Sequence, residues 1–528
     1  VVSEGYNEIG PMTRGLMYII CHNDDYEKYP EMTAHFLNSE VNGYIELGKT
    51  DMSKAYELLR KGGNTEPHFD MMSRRALLNF PKTTFYENTF LKNPARTDRV
   101  EELLHLYDTL MYIQEEVQGH YKYKALGRQR VHRNRALYRG TYAPNFYGAS
   151  AGYATIYHVN NIGKEVVNPS RMWDKAATSF SNDVVGAIWG LAHELGHTNQ
   201  TEVFKWRGLT EVTNNLMCAI TQYKFYGEGN TTMRFNDHFN KGMRDFVTRW
   251  NVHPDGTRRR MTHCESVNSP SVGNTEGGVD PTTQLMPFWQ LYLYYHLVLG
   301  NEDFYPDFYE LCRLSPTKCS NDEGHSQAIV DFVRLASDAA GEDLSEFCEA
   351  WGLPGVNDKV KVTHYGTNYI KTTQAQADAA YEYCHKYAKP KLNPLYINDL
   401  NLDLYRNPQK VVAGTHTVND NCKFTMSGWQ NVAAWILHDP NKMGENGKMG
   451  RDVAVILCNN VNGGGDFTYV HKETRYMVNA TGDDYIYSDK NGHVRAMEQP
   501  EALKEYTKGL QLYAVDVWGN RYASQSNQ

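Results

Sequence analysis

Apolar residues fall into helical spacing along several stretches of this chain. The longest is Thr97 to Gly119, where Val100, Leu103, Leu104, Tyr107, Leu110, Met111 and Val117 recur at helical intervals. Thr97 is a plausible N-cap there and Gly119 a stop, and Glu115, Glu116 and Gln118 are expected on a solvated face. Before it, Gly15 to Ile20 reads as a strand, and Ser53 to Arg60 as a short helix ended by Gly62 and Gly63. Asn182 and Asp183 are good N-caps, and Val185, Ile188, Trp189 and Ala192 follow at helical spacing, which predicts a core-facing helix over 183–198. After a break at Gly208 a second helix is expected over 211–226, with Met217, Ile220 and Phe225 inward. Leu285 to Leu299 is the most apolar and aromatic helical run, with Pro287 tolerable in a first turn. It is too short and too mixed to cross a bilayer. Gln327 to Cys348 carries two more helices.

Strand patterns sit elsewhere. Small residues punctuated by aromatics run from Tyr142, then Tyr153 to Tyr157 reads as an exposed edge strand. Beyond Pro354 the pattern changes, and Lys389 to Pro394 resembles a linker. Short β-type runs follow, Lys423–Met426, Asn431–Leu437, Asp452–Leu457, Arg475–Val478, Tyr485–Tyr487 and Gln511–Val517, separated by Gly- and Asn-rich turns. Regular short strands with such turns predict a β-sandwich-like domain. The expected division is 1–355 for the chemistry, 356–394 as a linker or helical connection, and 395–528 as a β-rich accessory domain.

The chemistry lies in the helix over 183–198, which contains His193-Glu194-Leu195-Gly196-His197. Residues four apart share a helix face, so His193 and His197 can offer two imidazole nitrogens to one metal. Glu194 is rotated away from the first ligand, and its carboxylate is free to act as general base on a water. A catalytic zinc takes three protein ligands and keeps one position open. No histidine occurs between Thr198 and Val203, so the third ligand is expected to be an acid. Glu202 follows His197 so closely that the chain has little room to turn back. Glu211 opens a new helix, which can bring its carboxylate beside the histidines, and it is the expected ligand. Gln284, Gln290, Tyr294 and His296 are expected to pack in the core rather than stabilise an oxyanion, and His158 to be structural.

Composition adds limits. The 528 residues are enough for two or more domains, and a net charge of −8 argues against a nucleic-acid partner. Nine scattered cysteines without a CxxC pair speak against a zinc knuckle or a dense disulfide scaffold, and the odd count leaves at least one unpaired. The 37 tyrosines are unusual, but they serve cores as well as sugar-binding faces. The chain begins at Val1 without an apolar leader and is read as a trimmed or mature form.

The segments HELGHTNQ and KWRGLTEVTNNL together resemble the enhancin-like gluzincin metallopeptidases (peptidase family M sixty), including those of gut Bacteroidetes. The resemblance covers roughly residues 1–355 and is strongest over 139–216 and 284–352. It implies an α+β fold: a gluzincin-type metallopeptidase domain of mixed lobe plus helical lobe, here followed by the β-sandwich-like domain. It implies one zinc ion per chain on His193, His197 and Glu211, with Glu194 as general base. The implied substrates are mucins and other O-glycosylated proteins, cut beside a glycan. Such a peptidase is expected outside the cytoplasm or at a bacterial cell surface. The edge strand, with Gly152 and Tyr153, would then bind extended substrate backbone. A glycan beside the cut would be met by the segment between the two ligand helices: Trp206 as a flat face for the sugar, with packing beneath the loop as its alternative role, and Asn199, Gln200 and Arg207 as hydrogen-bonding groups. Two alternatives remain: a glycan-independent zinc protease, and a non-catalytic glycoprotein-binding adhesin with a relict site.

Overall fold

The computed structural model describes residues 3–9, 28, 30–40, 42–61, 68–81, 99–123, 134–138, 148–151, 154–157, 182–228, 239, 242–247, 250–252, 258–260, 263, 281–420, 422–444, 448–458, 467–468, 487–488, 494–495 and 501–526. The chain divides into two compact units, 1–199 and 200–528. The strand expected over Gly15–Ile20, the run Arg475–Val478, and His158 lie outside the described residues.

The first unit is built on a mixed six-stranded sheet. Its strands are β1 (Tyr44–Glu46), β2 (His68–Met72), β3 (Ala76–Pro81), β4 (Asn134–Tyr138), β5 (Gly148–Ala151) and β6 (Ala154–Tyr157), in the order β1-β2-β3-β4-β6-β5. The edge is therefore β5, antiparallel to β6, while β6 is also paired with β4 on its other side. The expectation of an edge strand at Tyr153–Tyr157 is corrected here. A short run of small residues, Gly148–Ala151, occupies the outer position, and strand order is not readable from alternation alone.

Three helices accompany the sheet. These are α1 (Ala55–Lys61), α2 (Arg99–Val117) and α3 (Asn182–Thr198). In α2, Val100, Leu103, Leu104, Tyr107, Leu110 and Met111 are all buried, as their spacing requires. The solvated face expected at Glu115, Glu116 and Gln118 is not found: Glu115 and Gln118 are buried, as is Gln114, and Glu116 is half-buried. Burial pushes the Glu115 carboxyl up to about 7, against the pull of the Tyr121 hydroxyl that donates to it and of Arg75 at 3.5 Å.

The second unit begins with α4 (Thr210–Tyr226) and α5 (Pro281–Leu291), which pack on each other. The start of α5 at Pro281 puts Pro287 in the helix interior, not in a first turn. The helix continues through a wide turn over Tyr292–Val298. Helices α6 (Phe304–Leu314), α7 (Asp322–Ala340) and α8 (Ser345–Ala350) complete an aromatic core in which Phe204, Trp206, Phe288, Phe308 and Phe332 meet edge to face or stacked. A short hairpin pairs β7 (Trp250–Val252) with β8 (Arg258–Arg260). A second hairpin pairs β9 (Asn357–Thr363) with β10 (Thr367–Thr372), and α9 (Gln374–Cys384) follows behind a capping box at Thr373 and Gln376.

Residues 389–401 do not behave as a free linker. Gln290 Nε2 donates to the Leu395 and Ile397 carbonyls, the Leu392 N–H donates to Tyr294 Oη, and the Asn393 N–H to the Val517 carbonyl. Beyond them stand α10 (Leu402–Arg406) and the strands β11 (Thr415–Val418), β12 (Lys423–Ser427), β13 (Ala434–Met443) and β14 (Met449–Leu457). The rest are β15 (Phe467–Thr468), β16 (Tyr487–Ser488), β17 (Val494–Arg495), α11 (Glu501–Lys508), β18 (Gln511–Val515), β19 (Arg521–Ala523) and β20 (Gln525–Ser526). They form two four-stranded sheets, β15-β12-β11-β20 and β14-β13-β18-β19, around Phe424, Trp429, Val432, Trp435, Ile456 and Leu512. All seven cysteines among the described residues are free thiols.

Asp399 carries a prediction. Its Oδ1 accepts from Trp289 Nε1, its Oδ2 is buried with no hydrogen-bond partner among the described residues, and burial pushes the carboxyl up to about 7. A group whose folded pKa is raised adds stability below its unfolded value, and that contribution is lost as pH rises through the folded value. Asp399→Asn keeps an acceptor for Trp289 and removes the buried charge. The variant should match wild type in thermal midpoint near pH 4 and exceed it at pH 8. An equal midpoint difference at both pH values would refute this.

Candidate active site

Helix α3 carries His193, Glu194 and His197. It packs against β5, β6 and α2, with Ile188, Leu191, Ala192 and Leu195 buried. The two imidazoles stand one turn apart, with ring centroids 4.9 Å from each other and planes at 87°. Both are partly exposed, whereas Glu194 is 7% exposed.

Amide side chains fix the C-terminal end of this helix. Gln114 Nε2 donates to the Ala192 carbonyl at 3.0 Å, immediately before His193. Asn199 Nδ2 donates to Gln114 Oε1 at 2.7 Å, and Gln118 Nε2 donates to the Asn199 carbonyl at 2.8 Å. These buried groups have found partners in one another, which a helix end requires.

Glu211 lies in the first turn of α4, where the helix dipole favours a carboxylate. Gln200 secures that turn, its Nε2 donating to the Thr210 carbonyl and to Thr213 Oγ1, both at 2.8 Å. Tyr365 Oη donates to Glu211 Oε1 at 2.6 Å, and Asn214 Nδ2 is 3.4 Å from Oε2. One ligand-type atom from each of His193, His197 and Glu211 lies within 4.8 Å of the others. Two imidazoles and a carboxylate are a donor set that suits zinc. Glu202 is engaged elsewhere, accepting from the Cys319 N–H at 3.0 Å and lying 3.7 Å from Lys205 Nζ.

The segment expected to meet a sugar does other work. Trp206 has 0% exposure and lies among Phe204, Phe288 and Phe332, so its faces are covered by aromatic rings. That corrects the expectation of a sugar platform: the indole is a core anchor. Arg207 donates from Nε to Asn368 Oδ1 at 2.7 Å and from Nη1 to the His364 and Tyr365 carbonyls at 3.0 and 3.5 Å. Asn199 and Gln200 hold the helix ends as described. Gly152 and Tyr153 lie outside the described residues. Gln284, Gln290 and Tyr294 are bonded within the core, and His296 accepts from the Tyr305 N–H while burial lowers its pKa to about 3. Sequence reasoning missed Tyr365; its one signal was the Tyr365-Gly366 pair between two β-type runs, a hairpin tip.

Two imidazoles a turn apart, a glutamate beside the first and a carboxylate opening the next helix make up the arrangement of a zincin-type metallopeptidase. The chain belongs to peptidase family M60: the family described as "Peptidase M60, enhancin and enhancin-like" matches residues 79–352. Solved structures share the fold. A metallopeptidase from Bacteroides thetaiotaomicron aligns at TM-score 0.63 and 20% identity, over 92% of this chain and 70% of that one. A metallopeptidase in complex with Tn antigen aligns at TM-score 0.63 and 20% identity, over 92% of this chain and 76% of that one. The M60 catalytic domain of ZmpC from Clostridium perfringens, in complex with the sialyl T antigen, aligns at TM-score 0.55 and 17% identity, over 92% and 76%. No curated protein matches the chain significantly.

The two structural roles are measurable. Trp206→Ala empties a buried aromatic site and should cost about 3–5 kcal/mol in urea unfolding. Gln118→Leu leaves the Asn199 carbonyl without its donor and should cost about 1–3 kcal/mol. An unchanged unfolding midpoint in Trp206→Ala would restore the indole as a surface residue.

Proposed function

We propose that this chain is a zinc-dependent endopeptidase that hydrolyses peptide bonds in mucin-type O-glycosylated proteins. The observation that carries the reading is the grouping of His193, His197 and Glu211 donor atoms within 4.8 Å, next to Glu194. The glycoprotein substrate is supported by metallopeptidases of the same fold that have been solved in complex with Tn antigen and the sialyl T antigen.

In this reading His193 and His197, held by the helix face, and Glu211, in the first turn of α4, retain one zinc ion per chain. Zinc, when bound, supplies Lewis acidity that polarises a carbonyl and acidifies a water. Glu194 takes the proton of the attacking water on its carboxylate and delivers it to the leaving amine. Residues 1–355 act as the metallopeptidase domain and 395–528 as an accessory domain. A substrate of this kind places the enzyme outside the cytoplasm or at a bacterial cell surface. Among the described residues no helix is long and apolar enough to cross a membrane.

Glu194→Gln should keep zinc near one per chain and lower turnover by at least about 10²–10⁴-fold. Glu211→Ala should lose zinc while Glu202→Ala retains it. Paired substrates, an O-glycosylated peptide and its bare counterpart, test the glycan requirement. Equal cleavage of both by wild type would leave only a glycan-independent protease, and wild-type turnover in Glu194→Gln would sink the mechanism.

A further inference from the structure

The hairpin β9–β10 lies beyond the end of the family match at 352, yet its tip reaches the carboxylate of Glu211. The tip is a strained turn. Tyr365 has φ +52°, unusual for a residue with a side chain, and Gly366 has φ +134°, which any other residue would resist. Strain of this kind persists only where surrounding contacts over-determine it. Those contacts are present. The Arg207 guanidinium donates to the His364 and Tyr365 carbonyls and to Asn368 Oδ1, and it lies against Gly366. The Arg207 backbone N–H is in turn fixed by His325 Nδ1 at 3.0 Å. Asp322 accepts from Asn368 Nδ2 at 2.7 Å and from the Tyr369 N–H at 3.1 Å, docking the strand after the tip onto the start of α7. His364 is fully buried beside this turn. Tyr365 itself is 59% exposed, and its hydroxyl donates a 2.6 Å hydrogen bond to Glu211 Oε1.

We propose that Tyr365 is a positioning residue of the metal site: its hydroxyl, aimed by the Arg207 clamp, orients the Glu211 carboxylate for the metal. The inference rests on Glu211 being a zinc ligand. A hydrogen-bonded partner restricts a ligand carboxylate to fewer rotamers, so less freedom is lost when the ion binds. A tyrosine hydroxyl suits this role because it donates one bond from a rigid ring and leaves the carboxylate ionised. Arg207 suits the clamp because its planar fork reaches backbone carbonyls and a side-chain amide together, which a lysine cannot do.

The test begins with Tyr365→Phe, which removes the hydroxyl and keeps the ring. Zinc affinity, measured by competition with a chelator on the full chain, should weaken about 10–100-fold. The visible bands of the cobalt-substituted protein should shift, while the thermal midpoint of the zinc-free protein stays at the wild-type value. Arg207→Lys should weaken zinc in the same way, and adding Tyr365→Phe to it should cost little more, since both act through one bond. Wild-type zinc affinity and an unchanged cobalt spectrum in Tyr365→Phe overturn the proposal. Glu211→Ala separates the two layers. If it loses zinc while Tyr365→Phe binds normally, only the positioning role fails. If Glu211→Ala itself binds zinc at wild-type affinity, the ligand assignment fails and the proposal goes with it.

Discussion

The structure turns on the short path from His197 to Glu211. One helix must end, the chain must reverse, and a second helix must begin with its first carboxylate pointing the right way. Each residue along that path is committed to the geometry. Asn199 is tied to Gln114 and Gln118 at the end of α3. Gln200 closes the first turn of α4 through Thr210 and Thr213. Trp206 sinks into an aromatic core, Arg207 grips the β9–β10 turn, and Gly208 takes φ +102° where a side chain would strain the backbone. A loop next to a metal is an obvious place to look for substrate contacts. Here Asn199, Gln200, Trp206 and Arg207 are engaged in holding the loop and the helix ends.

What was legible in the sequence follows the range of the interactions concerned. The helices over 99–117, 182–198 and 210–226 emerged within two residues of their expected bounds, because periodicity and caps are local signals. The grouping of His193, His197 and Glu211 was legible for the same reason: histidines four apart and an acid opening the next helix are constraints written along a single stretch. The polar partners were not legible. Gln118 meets Asn199 across 81 positions, Tyr365 meets Glu211 across 154, and Arg207 meets Asn368 across 161. A buried amide looks identical in sequence to a solvated one, so Glu115 and Gln118 read as surface residues. Strand order has the same limit, which is why β6 was mistaken for the edge that β5 occupies.

The tyrosine content also finds its explanation in the core. Tyr305 donates to the Phe288 carbonyl, Tyr295 to Glu342, and Tyr405 to the Asn393 carbonyl, each with its ring buried. A tyrosine fills the volume of a phenylalanine and can also satisfy a backbone or carboxylate acceptor that would otherwise be stranded. That need arises often around α5, where the wide turn over Tyr292–Val298 departs from regular helical bonding. These buried tyrosines are packing devices, and tyrosine content supplies no argument for sugar binding by itself.

The same reasoning bears on where the working peptidase ends. The family match stops at 352, but the packing does not. Gln290 of α5 is satisfied by the Leu395 and Ile397 carbonyls, and Trp289 by Asp399. Cutting the chain at 352 would strand these buried donors inside the helical core, each at about 1–3 kcal/mol. It would also remove Tyr365 from Glu211 and leave the Arg207 guanidinium without the turn it grips. A segment beyond the family match thus reaches the carboxylate that the proposed site depends on. A group that aims a ligand need only reach the right oxygen, and a hairpin distant in sequence can supply it.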